Sequence, residues 1–375
     1  MNPTVHAAKF TDYSDKGIAG FIDAVIRREL PRLKGKTVLL KPNMLLGVNK
    51  NLATTTHPSI VAAVIHSCRT AGAKVLLGDS PGLPLSPSVI AGQLGILKVV
   101  RECGAEFVNF NERPVTAVRR DNKLVKTFTL ASALKKADYV INLPKLKTHL
   151  SAIYTGAVKN LFGFVPGLLK AQFHVKFPDR KRFGQMLADL AAIVRPSLSI
   201  MDAVVAMEGE GPSNGDPVPM GLVIASTDMV ALDTVACRLI GLNPDDVPSL
   251  RCAAADGLGI SDLKKIRIEG VSSLESVKPK KFRLRQSNNE MRFGPAGAFQ
   301  NWIKRIAIAR PGIDRGRCVK CALCVKMCPA KALSAARRSV PVFNYDICIR
   351  CYCCHEICPE GAISKKETLI SRLLG

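Results

Sequence analysis

Acidic residues are scarce in this chain of 375 residues: 30 Asp and Glu stand against 54 Lys and Arg, a formal charge of +24. Such an imbalance selects anionic partners, whether nucleic acid, an acidic membrane surface, an acidic redox partner protein or a small anion. Aromatics are also few, with one Trp and five Tyr, and no zinc finger or aromatic-interleaved RNA motif accompanies the basic residues, so no specific nucleic acid is expected as a partner. No run of about 18 apolar residues occurs, which argues against a transmembrane segment. Met1–Tyr13 lacks the apolar core and small-residue cleavage pattern of a secretory signal, so cytoplasmic residence with reduced thiols is expected. Nucleotide fingerprints are missing too. No Gly-Lys-Ser/Thr ending closes the glycine-rich stretch at 208–217, and no G-x-G-x-x-G lies between a strand and a helix.

What the chain does have is a cysteine beat. Cys318, Cys321, Cys324 and Cys328 precede Pro329, and thirty positions later Cys348, Cys351, Cys354 and Cys358 precede Pro359. Each half reads C-x2-C-x2-C-x3-C-P, the ligand run of bacterial ferredoxins with two 4Fe–4S clusters. The fourth cysteine of such a run crosses over. Cys318, Cys321, Cys324 and Cys358 are therefore expected to hold one cluster, and Cys348, Cys351, Cys354 and Cys328 the other. Disulfides would need an oxidising compartment, and zinc knuckles use paired C-x2-C units rather than a run of three. Coincidence would have to reproduce the spacing twice. Cys353 falls outside the beat and reads as a spare thiol. Eight ligand thiolates outweigh the iron charge and reduce the net +24. Clusters also point to a cell that shields them from oxygen, most simply an anaerobe.

The ferredoxin-like unit needs only about 55 residues, so the rest of the chain calls for its own domain. Apolar residues there fall into strands at 37–42, 74–77, 106–110, 139–143, 197–205, 221–226 and 266–269. Between them lie helices opening at His57-Pro58, near 88–103, at 180–194, after Asp228 and near 247–257. This alternation predicts a mostly parallel α/β sheet, followed by a small α+β ferredoxin-like domain. Residues 115–130 read as a polar hairpin at an edge. Cys68, Cys103, Cys237 and Cys252 have no ligand spacing and read as buried apolar residues.

In open α/β sheets ligands gather in turns at the carboxyl ends of strands. Lys41 and Asn43 follow the first strand, Asp79 and Ser80 the second, and Pro144-Lys145-Leu146-Lys147-Thr148-His149 the strand at 139–143. Lys159 and Asn160 lie between small residues. Each lysine alone could be a solvated surface charge, and His149 alone a structural histidine. Together Lys41, Lys145, Lys147, His149 and Lys159 predict a pocket for an anionic small molecule or cofactor. Residues 208–217 read as consecutive turns, with an anion-binding backbone nest as the alternative. Asp233 faces either the pocket or solvent.

Lys-Pro-Asn at 41–43, Gly-Asp-Ser at 78–80, the 144–149 stretch, Lys-Asn-Leu-Phe-Gly at 159–163, Met201-Asp202 and Glu-Gly-x-Gly-Pro at 208–212 together resemble the family called domain of unknown function 362. The resemblance spans about residues 1–275, and many members are similar to this chain in carrying a C-terminal two-cluster ferredoxin domain. Thr155-Gly-x-x-Lys159 with Pro166-Gly167 is also faintly similar to segments of nickel-pincer lactate racemases, a match too short to transfer residues.

Three parts result: an α/β domain at 1–277, a basic linker at 278–312 and a ferredoxin domain at 313–375. In the linker, Lys278, Lys280, Lys281, Arg283 and Arg285 precede Phe299, Trp302, Ile303 and Ile306 at helical spacing, with Lys304 and Arg305 beside them. This reads as a helix docking the two domains, with peripheral contact to an anionic membrane as the alternative. The expected function is an iron–sulfur oxidoreductase that passes electrons to an anion. Lys145 and His149 would be catalytic, and Lys41, Asn43, Asp79, Lys147, Lys159 and Asn160 would bind the anion. The alternative is a non-catalytic electron carrier or cofactor-maturation factor.

Overall fold

The computed structural model describes residues 2–45, 53–82, 85–167, 169–284 and 309–367. Its strands are β1 (Thr4–Lys9), β2 (Thr37–Pro42), β3 (Lys74–Leu77), β4 (Glu106–Phe107), β5 (Val115–Val118), β6 (Thr127–Leu130), β7 (Tyr139–Leu143), β8 (Lys145–His149), β9 (Ile153–Thr155), β10 (Leu198–Glu208), β11 (Asp216–Ser226) and β12 (Arg267–Glu269). Ten of them form one sheet in the order β12-β1-β11-β10-β7-β2-β3-β4, with β8 also on β10 and β9 on β8. Strands β10, β7, β2, β3 and β4 run parallel. β11, between β10 and β1, opposes them, as does the short β9 against β8.

Alternation along the strands explains why they are apolar throughout. Val38 and Leu40 of β2 enter one core, while Leu39 enters the other. In β3, Val75 and Leu77 likewise oppose Leu76. A sheet covered on both faces requires such runs. One cover is α1 (Gly17–Glu29) with α2 (Pro58–Thr70), whose Ile60, Val61, Val64, Ile65 and Cys68 are all buried. The other face carries the helices Arg180–Val194, Met229–Leu239 and Pro248–Ala255.

The structure revises several sequence expectations. β1 and α1 precede the first strand the sequence discloses. The helix expected near 88–103 is two, Pro87–Gln93 and Ile96–Glu102, parted at Gly95 with φ +74°. The strand expected at 106–110 pairs only over β4. The 115–130 hairpin is a separate two-stranded sheet whose Phe128 and Leu130 are buried in the main core. Residues 145–149 are strand rather than turn. β7 and β8 form one line along β10, interrupted at Pro144, which has no N–H for the ladder.

In the C-terminal unit, Arg310–Ile313 pairs antiparallel with Ile363–Lys366, and Leu333–Ser334 with Val342–Phe343. Ile90 of the large domain packs in a common core with Met327, Leu333, Ile357 and Ile363. The 209–215 turn between β10 and β11 is where the C-terminal unit docks. Ser213 Oγ donates to Glu356 O at 2.9 Å, and His355 Nε2 lies 3.1 Å from Glu210 O. Arg283 of the basic linker grips Glu208 and Asp216 at the ends of β10 and β11. Arg285 and the stripe from Phe299 to Ile306 lie outside the described residues.

Candidate functional site

Strands β2 and β3 end where β8 begins, and the polar residues there meet the segment 155–174 and the C-terminal unit around one cavity of about 140 Å³. The large domain contributes Lys41, Asn43, Asp79, Ser80, Lys147, Lys159, Asn160, Lys170 and His174. The C-terminal unit contributes Met327, Cys353, Glu356 and Ile357. Of the residues expected to bind an anion, all six line this cavity. Lys145 and His149 do not.

Lys41 and Asp79 form a buried ion pair at 2.9 Å. Burial pulls the Lys41 ammonium below its ordinary value, with Asp79 opposing the shift. The pair depends on Gly163, because a methyl there would overlap Asp79 Oδ1 and Lys41 Cε. Gly163→Ala is therefore expected to lower stability by about 1–3 kcal/mol, measurable by chemical denaturation.

The remaining lysines differ in their surroundings. Lys159 is half-buried and makes no hydrogen bond or ion pair among the described residues. Lys170, which the sequence reading overlooked, donates to Ser80 O, to Ser80 Oγ at 3.0 Å and to Val165 O at 2.6 Å. Burial lowers its ammonium to about 7. Lys147 is fully buried and donates to Asn43 Oδ1 at 2.8 Å and Thr54 O at 2.7 Å.

Lys145 belongs to a separate buried network. Its Nζ lies 2.9 Å from Asp202 Oδ2 and 2.6 Å from the Tyr13 hydroxyl, which in turn donates to Asp202 Oδ1. The Tyr13 ring stacks on His57 with centroids 3.7 Å apart. This arrangement ties the N-terminal segment to β8 and β10, away from the cavity.

His149 meets the cavity only through Glu356. Its Nδ1 accepts from the backbone N–H groups of Ser151 and Ala152, both at 3.2 Å, which leaves the proton on Nε2. Nε2 stands 3.2 Å from Glu356 Oε1 at an angle outside hydrogen-bond geometry. Burial pushes His149 down to about 4. Burial would raise the Glu356 carboxyl, but His149, Lys159 and His174 outweigh it and hold the group below the usual range. Sequence reading missed Glu356 and His174 because one is hidden among cysteines and the other lies in an unremarkable helix, Leu169–Lys176. Asp233 faces neither cavity nor solvent. It accepts from Ala157 N, Val158 N and the Tyr154 hydroxyl, and burial raises it to about 6.

The cysteines sort into two groups. Cys318, Cys321, Cys324 and Cys358 surround one small cavity. Cys348 and Cys354 have Cys351 and Cys328 among their electrostatic neighbours. Local backbone repeats with the thirty-residue spacing: Lys320 and Arg350, and Ala322 and Tyr352, all have φ between +55° and +60°. Ala332 N–H points at Cys328 Sγ at 3.1 Å, and Ala362 N–H at Cys358 Sγ at 3.2 Å. Among the described residues no three ligating side chains converge on one ion-sized point. Cys353 lines the larger cavity instead.

A family model described as "Domain of unknown function (DUF362)" matches residues 38–238, more than half of the sequence. The chain belongs to that family. A 4Fe-4S dicluster domain matches residues 307–364, so the DUF362 region is followed by an iron–sulfur domain of electron-carrier type. A thylakoid-associated protein of Synechocystis sp. is 40% identical over 228 residues, covering 60% of this chain and 69% of that protein. Two solved structures overlap weakly. The lactate racemase apoprotein from Thermoanaerobacterium thermosaccharolyticum shares 11% identity at a TM-score of 0.40, over 64% of this chain and 57% of that one. A Thermotoga maritima protein shares 13% at 0.38, over 59% and 58%. The chain spans less than three-fifths of either structure. No helix among the described residues is long and apolar enough to cross a membrane.

Proposed function

We propose that this DUF362 protein is an iron–sulfur oxidoreductase acting on a small anionic molecule held between its two units. The observation that carries the reading is the shared wall of the cavity. Cationic side chains of the α/β domain face Met327, Cys353 and Glu356, which stand next to or between the cysteines of the cluster-binding run. A molecule bound there lies against the iron–sulfur unit. Two clusters are expected, one held by Cys318, Cys321, Cys324 and Cys358, the other by Cys328, Cys348, Cys351 and Cys354. When bound, they supply one-electron carriage.

The chain's own residues bind and orient the anion. Lys159 and Lys170 supply positive charge not already committed to a carboxylate within ion-pair distance, Asn43 and Asn160 supply polar edges, and Lys41 with Asp79 frames the floor. Lys145 serves the Tyr13–Asp202 network, and His149 steadies Glu356 rather than touching the bound molecule. A cavity near 140 Å³ is close to the 150 Å³ or so that accommodates benzene, so the occupant is small.

The test is anaerobic. With the clusters reduced, candidate anions such as pyruvate and other reducible carboxylates are added and reoxidation is followed by iron–sulfur absorbance. Acceleration by one of them, lost in Lys159→Ala, supports the reading, whereas equal rates in both proteins overturn it. The bound anion should also report Lys170. Its ammonium is charged below about pH 7 and neutral above, so affinity should fall by up to about tenfold between about pH 6 and about pH 8. Calorimetry would show that slope flattened in Lys170→Met.

A further inference from the structure

Lys147 is the one fully buried lysine of the cavity wall that has no carboxylate within ion-pair distance among the described residues. Its two hydrogen bonds match the two hydrogens of a neutral amine. An ammonium has three hydrogens to place, and a neutral amine has two and a lone pair. Lys41 has three acceptors, Pro42 O at 2.5 Å, Asp79 Oδ1 at 2.9 Å and Asn160 Oδ1 at 3.3 Å. Lys170 also has three. Lys147 has two, Asn43 Oδ1 and Thr54 O.

Both partners are fixed as acceptors. Thr54 offers a backbone carbonyl, and Asn43 is oriented by a relay of amides. Asn142 Nδ2 donates to Ala157 O at 2.9 Å, which leaves Asn142 Oδ1 to accept from Asn160 Nδ2 at 2.7 Å. Asn160 Oδ1 then accepts from Asn43 Nδ2 at 3.0 Å, and Asn43 presents its oxygen to Lys147. Two N–H groups are thus donated, and the remaining tetrahedral position of Nζ suits a lone pair. Burial first, then the charges of Lys159 and Lys145, push the ammonium of Lys147 well below its ordinary value. A buried neutral amine is the form in which lysine attacks carbonyl carbon.

We propose that Lys147 captures the carbonyl carbon of a small 2-oxo acid as an imine, while Lys159 and Lys170 receive its carboxylate. The step balances without a co-reactant. The Nζ lone pair forms the new N–C bond, the carbonyl C–O bond breaks, and the oxygen leaves as water with both amine hydrogens. No oxidation state changes. The inference rests on the anion-binding reading of the cavity and adds a substrate class and a covalent role.

Anaerobic holoprotein would be incubated with pyruvate and sodium cyanoborohydride, and the adduct located by peptide mapping. A surface lysine with a pKa near 10.4 is neutral in about one molecule in 2,500 at pH 7. Labelling should therefore concentrate on the peptide carrying Lys147, on the order of a hundredfold above the surface lysines. Lys147→Met should lose that adduct, and because the mapping is done on wild type the result does not depend on the variant folding. Calorimetric binding of pyruvate, weakened in Lys159→Met, without an adduct on Lys147 overturns the imine and leaves the anion site standing. Failure of both pyruvate and inorganic phosphate to bind, with no adduct, overturns both.

Discussion

Replacing Asp202 with Asn is expected to lower stability by about 3–5 kcal/mol, the size of effect seen when one partner of a buried ion pair is removed. Asp202 and Lys145 are both fully buried and 2.9 Å apart. The carboxylate also accepts from the Tyr13 hydroxyl at 2.9 Å, His57 N at 2.9 Å and Val204 N at 3.2 Å. Without its charge Lys145 has no anionic partner, and the ammonium must either stay buried unpaired or give up its proton. Burial already pulls its ionisation down, with Asp202 as the opposing charge. The reverse variant, Lys145→Met, should be milder, because the carboxylate retains three donors. Urea denaturation of both variants would check the order. A change below about 1 kcal/mol for Asp202→Asn would mean the pair is dispensable. The same comparison separates two roles for Lys145: a strand-tying lysine alters stability and leaves anion binding in the cavity intact.

The parts legible in the sequence share a cause. β2, β3 and β7 are short aliphatic runs ended by Pro, Gly or Asn, and burial on both faces leaves no other reading of them. The cysteine beat is read just as directly, since its spacing is its chemistry. β8 was hidden because its sequence, Lys-Leu-Lys-Thr-His, resembles an exposed turn, yet all five residues are buried. What permits that burial is remote in sequence: Asp202 for Lys145, Asn43 and Thr54 for Lys147, Glu356 for His149. No local pattern carries such pairing. The same holds for the cavity. Its lysines were visible as a set, but Lys170 and His174 lie on a helix with no buried apolar stripe, and Glu356 arrives only when the C-terminal unit docks.

The crossing of the cysteines yields the second large effect. If Cys358 completes the set of Cys318, Cys321 and Cys324, then Cys358→Ala and Cys318→Ala should each remove about half of the iron and leave the same residual cluster. Cys328→Ala and Cys348→Ala should share the other. Iron and sulfide analysis gives the loss, and electron paramagnetic resonance of the reduced proteins shows which variants match. The expectation follows from geometry: Cys358 borders the cavity with the first three cysteines, thirty or more residues upstream. Had each run served its own cluster, Cys358→Ala would match Cys348→Ala instead. Cys353→Ala is the internal control. Its side chain faces the cavity at Lys159 and Glu356, so full iron content is expected, while loss of iron comparable to Cys354→Ala would exchange the roles of these two neighbours.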